Sequence, residues 1–109
     1  QPAPVELTLL VVDIDHFKKI NDSLGHQRGD AFLRKIGELL KSAVKPIDTV
    51  SRRGGDEFIV LLPEDTPPEE AASLAQGICE KISQPFEIDG FRVSATASIG
   101  VAVYPRDGK

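Results

Sequence analysis

The sequence predicts an α/β (α+β) sandwich, a mostly antiparallel sheet with helices packed on it. Three observations carry this. A nearly continuous apolar run, Val5 to Val12, reads as a central strand covered on both faces. Three later stretches repeat apolar residues at helical spacing. Two turn signals, Gly54-Gly55 and Asp89-Gly90, sit between strand-like segments and predict hairpins. The resulting order is strand, helix, helix, hairpin, helix, hairpin-strand, which implies a ferredoxin-like or palm-like sandwich.

Taken in order, Phe17, Ile20 and Leu24 mark a first short helix, with Gly25 as its C-terminal stop. A link over Gly25 to Gly29 leads to Asp30 as the expected N-cap of a second helix. Its buried face is Phe32, Leu33, Ile36, Leu39, Leu40 and Ala43, and Pro46 ends it. The first hairpin runs from Thr49 to Arg53 and resumes at Phe58 to Leu62. Thr66-Pro67-Pro68-Glu69 predicts a helix start, with a Thr cap, Pro in the first turn and Glu in the capping-box place. Ala71, Leu74, Ala75, Ile78 and Ile82 supply that helix's stripe, and Pro85 closes it. After the Asp89-Gly90 turn, the odd positions from Phe91 to Val103 are apolar, predicting one long half-buried strand.

At 109 residues the chain is at most one domain, and 40% hydrophobic with 28% charged residues is an ordinary globular balance. A net charge of −4 argues against a sequence-independent nucleic-acid surface, so no nucleic-acid partner is expected. The one cysteine, Cys79, sits among Leu74, Ala75, Ile78 and Ile82 and reads as buried filler. No apolar run approaches a membrane span. With no Met and a Gln-Pro-Ala-Pro start, the chain reads as an excerpt of a longer protein.

The candidate chemistry lies at strand ends. Asp13 and Asp15 close the first apolar run, and Asp56 and Glu57 follow the glycine turn at the first hairpin's tip. If the two strand ends meet, their carboxylates converge on a site suited to a hard cation and, through it, to phosphate. A lone Asp-x-Asp is more readily read as solvated acids, with Asp15 capping the next helix. Gly-rich tips bearing acids are likewise common turns. The helix start at Phe17 and Lys18 offers unpaired N–H groups suited to phosphate. Asn21 can donate and accept, and Asp30 can accept from the N1–H and N2–H₂ edge of a guanine. On their own residues, though, the two read as an exposed helix position and a helix cap. His26 reads as a loop histidine.

Four segments together resemble the GGDEF domain, the diguanylate cyclase family. They are Asp13-Ile14-Asp15-His16-Phe17-Lys18-Lys19-Ile20-Asn21-Asp22, Gly25-His26-Gln27-Arg28-Gly29-Asp30, Arg52-Arg53-Gly54-Gly55-Asp56-Glu57-Phe58 and Ala97-Ser98-Ile99-Gly100-Val101-Ala102. The resemblance implies a palm-like nucleotidyl-cyclase fold and the condensation of two GTP into cyclic di-GMP and pyrophosphate by two facing domains, hence a homodimer. It implies Mg²⁺ (or Mn²⁺) on Asp13, the Ile14 carbonyl, Asp56 and Glu57, with Asp56 and Glu57 nearest the chemistry. The amides of Phe17 and Lys18 would hold the β- and γ-phosphates, Gly54 and Gly55 would line the GTP site, and Asn21 and Asp30 would read guanine. It implies a cytoplasmic domain, in a parent chain that carries a sensor or EAL domain and is compatible with a membrane anchor.

Two departures from the family pattern stand out. Lys45-Pro46-Ile47-Asp48 occupies the place of the family's inhibitory Arg-x-x-Asp, and Lys lacks the planar fork that grips guanine and phosphate together. The family's N-terminal lead and final helix and strand are absent from residues 1–109, so the piece reads as a partial GGDEF domain. The alternative reading is a non-catalytic GTP-binding module regulating an attached EAL phosphodiesterase.

Overall fold

The computed structural model describes residues 5–44, 49–53, 55–63 and 66–106. The elements are β1 (Val5–Ile14), α1 (Phe17–Leu24), α2 (His26–Ala43), β2 (Thr49–Arg53), β3 (Glu57–Leu61), α3 (Pro68–Ile82), β4 (Phe86–Ile88), β5 (Phe91–Val93) and β6 (Ala97–Arg106). A four-stranded sheet has the order β2-β3-β1-β6, antiparallel throughout, and β4 and β5 form a separate two-stranded sheet. This is the α+β sandwich expected from the element order.

The alternation along β1 decides which face the helices cover. Thr8, Leu10, Val12 and Ile14 are buried, while Leu7, Leu9 and Val11 are half-buried. Directly opposed residues of an antiparallel pair share a face. Val12 pairs with Phe58 and Leu10 with Val60, so those side chains join Phe32, Leu33, Ile36 and Leu40 of α2 and Ile78 and Ile82 of α3 in one core. The expectation that β1 is covered on both faces holds fully for one face only: within the described residues its second face is half-buried.

Three local expectations also change. First, α2 begins at His26, so Asp30 lies inside the helix and does not cap it. Gly25 alone makes the link. At φ +89° it lets its N–H reach Asn21 O (2.8 Å), closing α1, while its carbonyl accepts from Gly29 N–H (2.9 Å), opening α2. Second, the Thr66 hydroxyl donates to Pro63 O (2.6 Å), and Pro67 is the residue before α3. No capping box forms; the acidic first turn, Glu69 and Glu70, instead complements the helix dipole. Third, the long strand from Phe91 is broken at residues 94–96. β5 pairs with β4 across the Asp89-Gly90 turn, whose two residues both have positive φ, whereas β6 pairs with β1 over ten residues. Period-2 alternation survives a change of partner, so it does not reveal the break.

The expected end of α2 near Pro46 agrees with its last residue, Ala43, while Pro46 itself lies outside the described residues. Among the described residues no helix is long and apolar enough to cross a membrane. Cys79 is half-buried, its thiol 3.6 Å from Ala97 O, and burial followed by the charges of Asp15 and Glu80 pushes its pKa up. A thiol held in that state is a packing group, not a nucleophile.

Candidate functional site

Sheet register brings the two acidic strand ends together. Asp13 is directly opposite Glu57, and Ile14 N–H donates to Asp56 O at 3.2 Å. The two residues between Arg53 and Asp56 are glycines, and the tip is closed by Arg52 Nε donating to Gly55 O (3.1 Å). Gly54 lies outside the described residues. The pKa of Asp13 is raised, first by partial desolvation and then by the negative charges of Asp56 and Glu57, with smaller contributions from a side-chain interaction with Asp56 and the charge of Asp15. Like charges gathered at one point favour either a proton or a cation.

The donor chemistry fits Mg²⁺. The carboxylates of Asp13, Asp56 and Glu57 and the Ile14 carbonyl are hard oxygen donors. Among the described residues, no three His, Cys, Asp or Glu side chains are gathered closely enough to hold an ion by themselves. Magnesium typically takes one or two carboxylates and completes its shell with water and substrate phosphate.

Asp15 has a different partner set. Its carboxylate accepts from Ser98 Oγ and Thr96 Oγ1, both at 2.7 Å, and its backbone N–H donates to Thr96 O at 2.9 Å. Those hydroxyls, Ser98 first, hold its pKa below the ordinary value. Asp15 therefore neither caps α1, which has no side-chain cap, nor joins the Asp13–Asp56 cluster; it ties the end of β1 to the start of β6. Thr96 was missed in the sequence because no local pattern joins residues 81 apart.

After Asp15 the chain turns through His16, held in the left-handed region (φ 56°), and enters α1 at Phe17. A non-glycine residue there is strained, and such strain concentrates at functional turns. The N–H groups of Phe17 and Lys18, the first two of the helix, have no intrahelical acceptor. They stand one turn of chain beyond Asp13 and Ile14. Asn21 follows about 6 Å further along the helix axis.

Asn21 and Asp30 come from different helices, joined by the one-residue link. Asn21 lies against Gly29, the neighbour of Asp30: a β-carbon on Gly29 would sit 3.1 Å from Asn21 Cγ and closer still to its Oδ1. Asn21 Nδ2 lies 3.0 Å from His26 Nδ1, so His26 is not a loop residue but the first residue of α2, bonded to α1. Asp30 itself is exposed. Lys45 and Asp48 lie outside the described residues. A groove of about 330 Å³ lies between α2 and β2, lined by Arg34, Lys41, Arg52 and Phe58 among others, but by none of Asp13, Asp56, Asn21 or Asp30.

Comparison with known proteins bears on the family and the fold. Residues 2–109 match the family model described as "Diguanylate cyclase, GGDEF domain". The chain belongs to the GGDEF family. It is 44% identical over 101 residues to the bifunctional diguanylate cyclase/cyclic di-GMP phosphodiesterase MucR of Pseudomonas aeruginosa, covering 93% of this chain and 15% of that protein. It is 44% identical over 103 residues to the cyclic di-GMP phosphodiesterase NbdA of the same organism, covering 94% of this chain and 13% of that one. Among solved structures it superposes on the GGDEF domain of TpbB (YfiN) from Pseudomonas aeruginosa with a TM-score of 0.87 and 40% identity, covering 92% of this chain and 63% of that domain. The chain thus spans under a sixth of these two curated relatives.

Proposed function

We propose that this GGDEF domain is a diguanylate cyclase half-site, binding one GTP and condensing it with the GTP of a second copy to form cyclic di-GMP. The observation that supports the reading is the strand register that sets Asp13 opposite Glu57 and Ile14 N–H on Asp56 O, a few residues before α1 opens at Phe17. Asp13 and Asp56 would hold Mg²⁺ (or Mn²⁺), with the Ile14 carbonyl contributing and Glu57 close to the metal. When bound, that ion acidifies the attacking 3′-hydroxyl and neutralises charge developing on the phosphate oxygens.

The chain's own groups do the positioning. The Phe17 and Lys18 amides receive the β- and γ-phosphates, where the helix dipole favours negative charge. Gly54 and Gly55 let the nucleotide approach the hairpin backbone. Asn21 and Asp30 read the guanine edge. The 3′-oxygen of one GTP bonds to the α-phosphorus of the other, the α–β bridging bond breaks, and pyrophosphate leaves with both electrons of that bond. The hydroxyl proton passes to water or to Glu57. Because each copy presents one such site, turnover requires a homodimer. Lys45 and Asp48 form the counterpart of a product-inhibition site, weakened by the loss of the Arg fork. The domain acts in the cytoplasm, where GTP is abundant.

The test is production of cyclic di-GMP from GTP and Mg²⁺ by the full-length protein at several protein concentrations. A steep concentration dependence, abolished in Asp56→Asn, is expected; equal product from that variant would remove the metal role. A second reading is favoured by the likeness to a protein named as a phosphodiesterase. In it the domain binds GTP without turnover and tunes an attached EAL phosphodiesterase, and the same assay would give GTP binding and no product.

A further inference from the structure

The corner between α1 and α2 carries a contact that the metal centre and the phosphate seat leave unused. Three residues meet there: Asn21 on α1, His26 at the start of α2, and Gly29 one turn later. The amide nitrogen Nδ2 of Asn21 lies 3.0 Å from His26 Nδ1. An amide nitrogen only donates, so the ring nitrogen accepts, and the neutral ring carries its proton on Nε2. The other end of the amide, Oδ1, fills the space that a β-carbon on Gly29 would need, and Phe17 Cζ lies 3.5 Å from the same point. Glycine within a helix is less favourable than alanine, and here it yields the room that Asn21 occupies.

An asparagine amide is nearly symmetric in shape. A half-turn about its last torsion exchanges donor and acceptor at almost no steric cost, so only its hydrogen-bond partners decide which end faces which way. Asn21 has one such side-chain partner among the described residues, His26. With Nδ2 tied there, one N–H and the lone pairs of Oδ1 are left for a ligand, in a fixed order. Guanine and adenine differ by exchanging an acceptor for a donor at position 6, and by the 2-amino group. A reader whose polarity is locked distinguishes them; one that flips does not.

We propose that His26 is a positioning residue for base selection: its Nδ1 sets the donor–acceptor polarity of Asn21, and Gly29 provides the seat. The inference rests on the reading that Asn21 contacts the base, and the experiment separates the two. The full-length protein is titrated with 3′-deoxy-GTP and 3′-deoxy-ATP, which lack the attacking hydroxyl and so report binding without turnover. His26→Phe keeps a ring and loses the acceptor. His26→Asn puts a carbonyl oxygen close to where Nδ1 stood. Asn21→Ala tests the parent reading.

His26→Phe is expected to lose roughly five- to thirtyfold of the preference for the guanine nucleotide, the equivalent of one misaligned hydrogen bond. His26→Asn is expected to retain it within about twofold. If Asn21→Ala loses the preference while His26→Phe keeps it, the positioning role falls and base reading stands. If Asn21→Ala keeps it, base reading by Asn21 falls and takes this inference with it. If Asn and Phe at position 26 are equally impaired, ring shape rather than the acceptor is responsible and the inference is overturned. Should His26→Phe not fold, nitrogen NMR of the unaltered protein decides: an unprotonated Nδ1 with the proton on Nε2 is expected, and a proton on Nδ1 overturns the assignment.

Discussion

Replacing Gly29 by alanine sets two opposed effects against each other, and the structure says which should win. In the interior of α2 the change gains about 1 kcal/mol of helix propensity, since no positive φ is required at this position. Against it, the new β-carbon would meet Asn21 Cγ at 3.1 Å and overlap Oδ1 outright. Overpacking of this kind costs about 1–3 kcal/mol, and displacing Asn21 forfeits its bond to His26, about 1 kcal/mol more. The balance is a destabilisation of about 1–3 kcal/mol, measurable as a lowered urea midpoint with an unchanged slope. If Asn21 swings into solvent instead of straining the helices, stability changes little, but its amide leaves the corner beside Asp30. Guanine-nucleotide affinity should fall in either case. A Gly29→Ala protein that is more stable by about 1 kcal/mol and binds GTP normally would refute the claim that this glycine exists to seat Asn21.

Other consequences follow from the same geometry. Asp13→Asn removes one of the mutually repelling carboxylates, so the metal-free protein should gain thermal stability while the Mg²⁺-induced rise in Tm disappears; an undiminished magnesium response would remove Asp13 from the metal set. Because the folded-state pKa of Asp13 is raised, the folded protein binds more protons than the unfolded chain in the window above 3.8, and metal-free stability should fall as pH rises through it. Asp15 has the opposite sign: its stabilising contribution is present above 3.8 and is lost as pH drops through its lowered folded value. Urea titrations of Asp13→Asn and Asp15→Asn across the acid range should separate the two slopes. Arg28 lies 4.6 Å from the centroid of the Phe91 ring and 3.6 Å from Asp89, fastening the β4–β5 hairpin to the start of α2. Phe91→Ala should therefore cost up to about 1 kcal/mol and speed hydrogen exchange in β4 and β5 without changing it in β1.

Much of this molecule was legible in its letters. The apolar run before Asp13, the helical stripes of α2 and α3 and the Asp89-Gly90 turn declared their elements, because each is a property of a single segment and its own period. The acid, amide and glycine residues of the candidate site were also visible, and their arrangement in four ordered segments carried the family. Beyond the two hairpins, what those letters left open was the relation between distant segments. Asp15 looked like Asp13 until its partners proved to be Ser98 and Thr96, and the alternation from Phe91 onward ran straight through a change of sheet. His26 and Gly29 looked like linker residues until one left-handed glycine turned α2 back against α1. Composition and periodicity determined most of the elements that form. Only the folded chain decided which groups meet, because strand register and helix approach are set by packing between distant segments, to which no local pattern is bound.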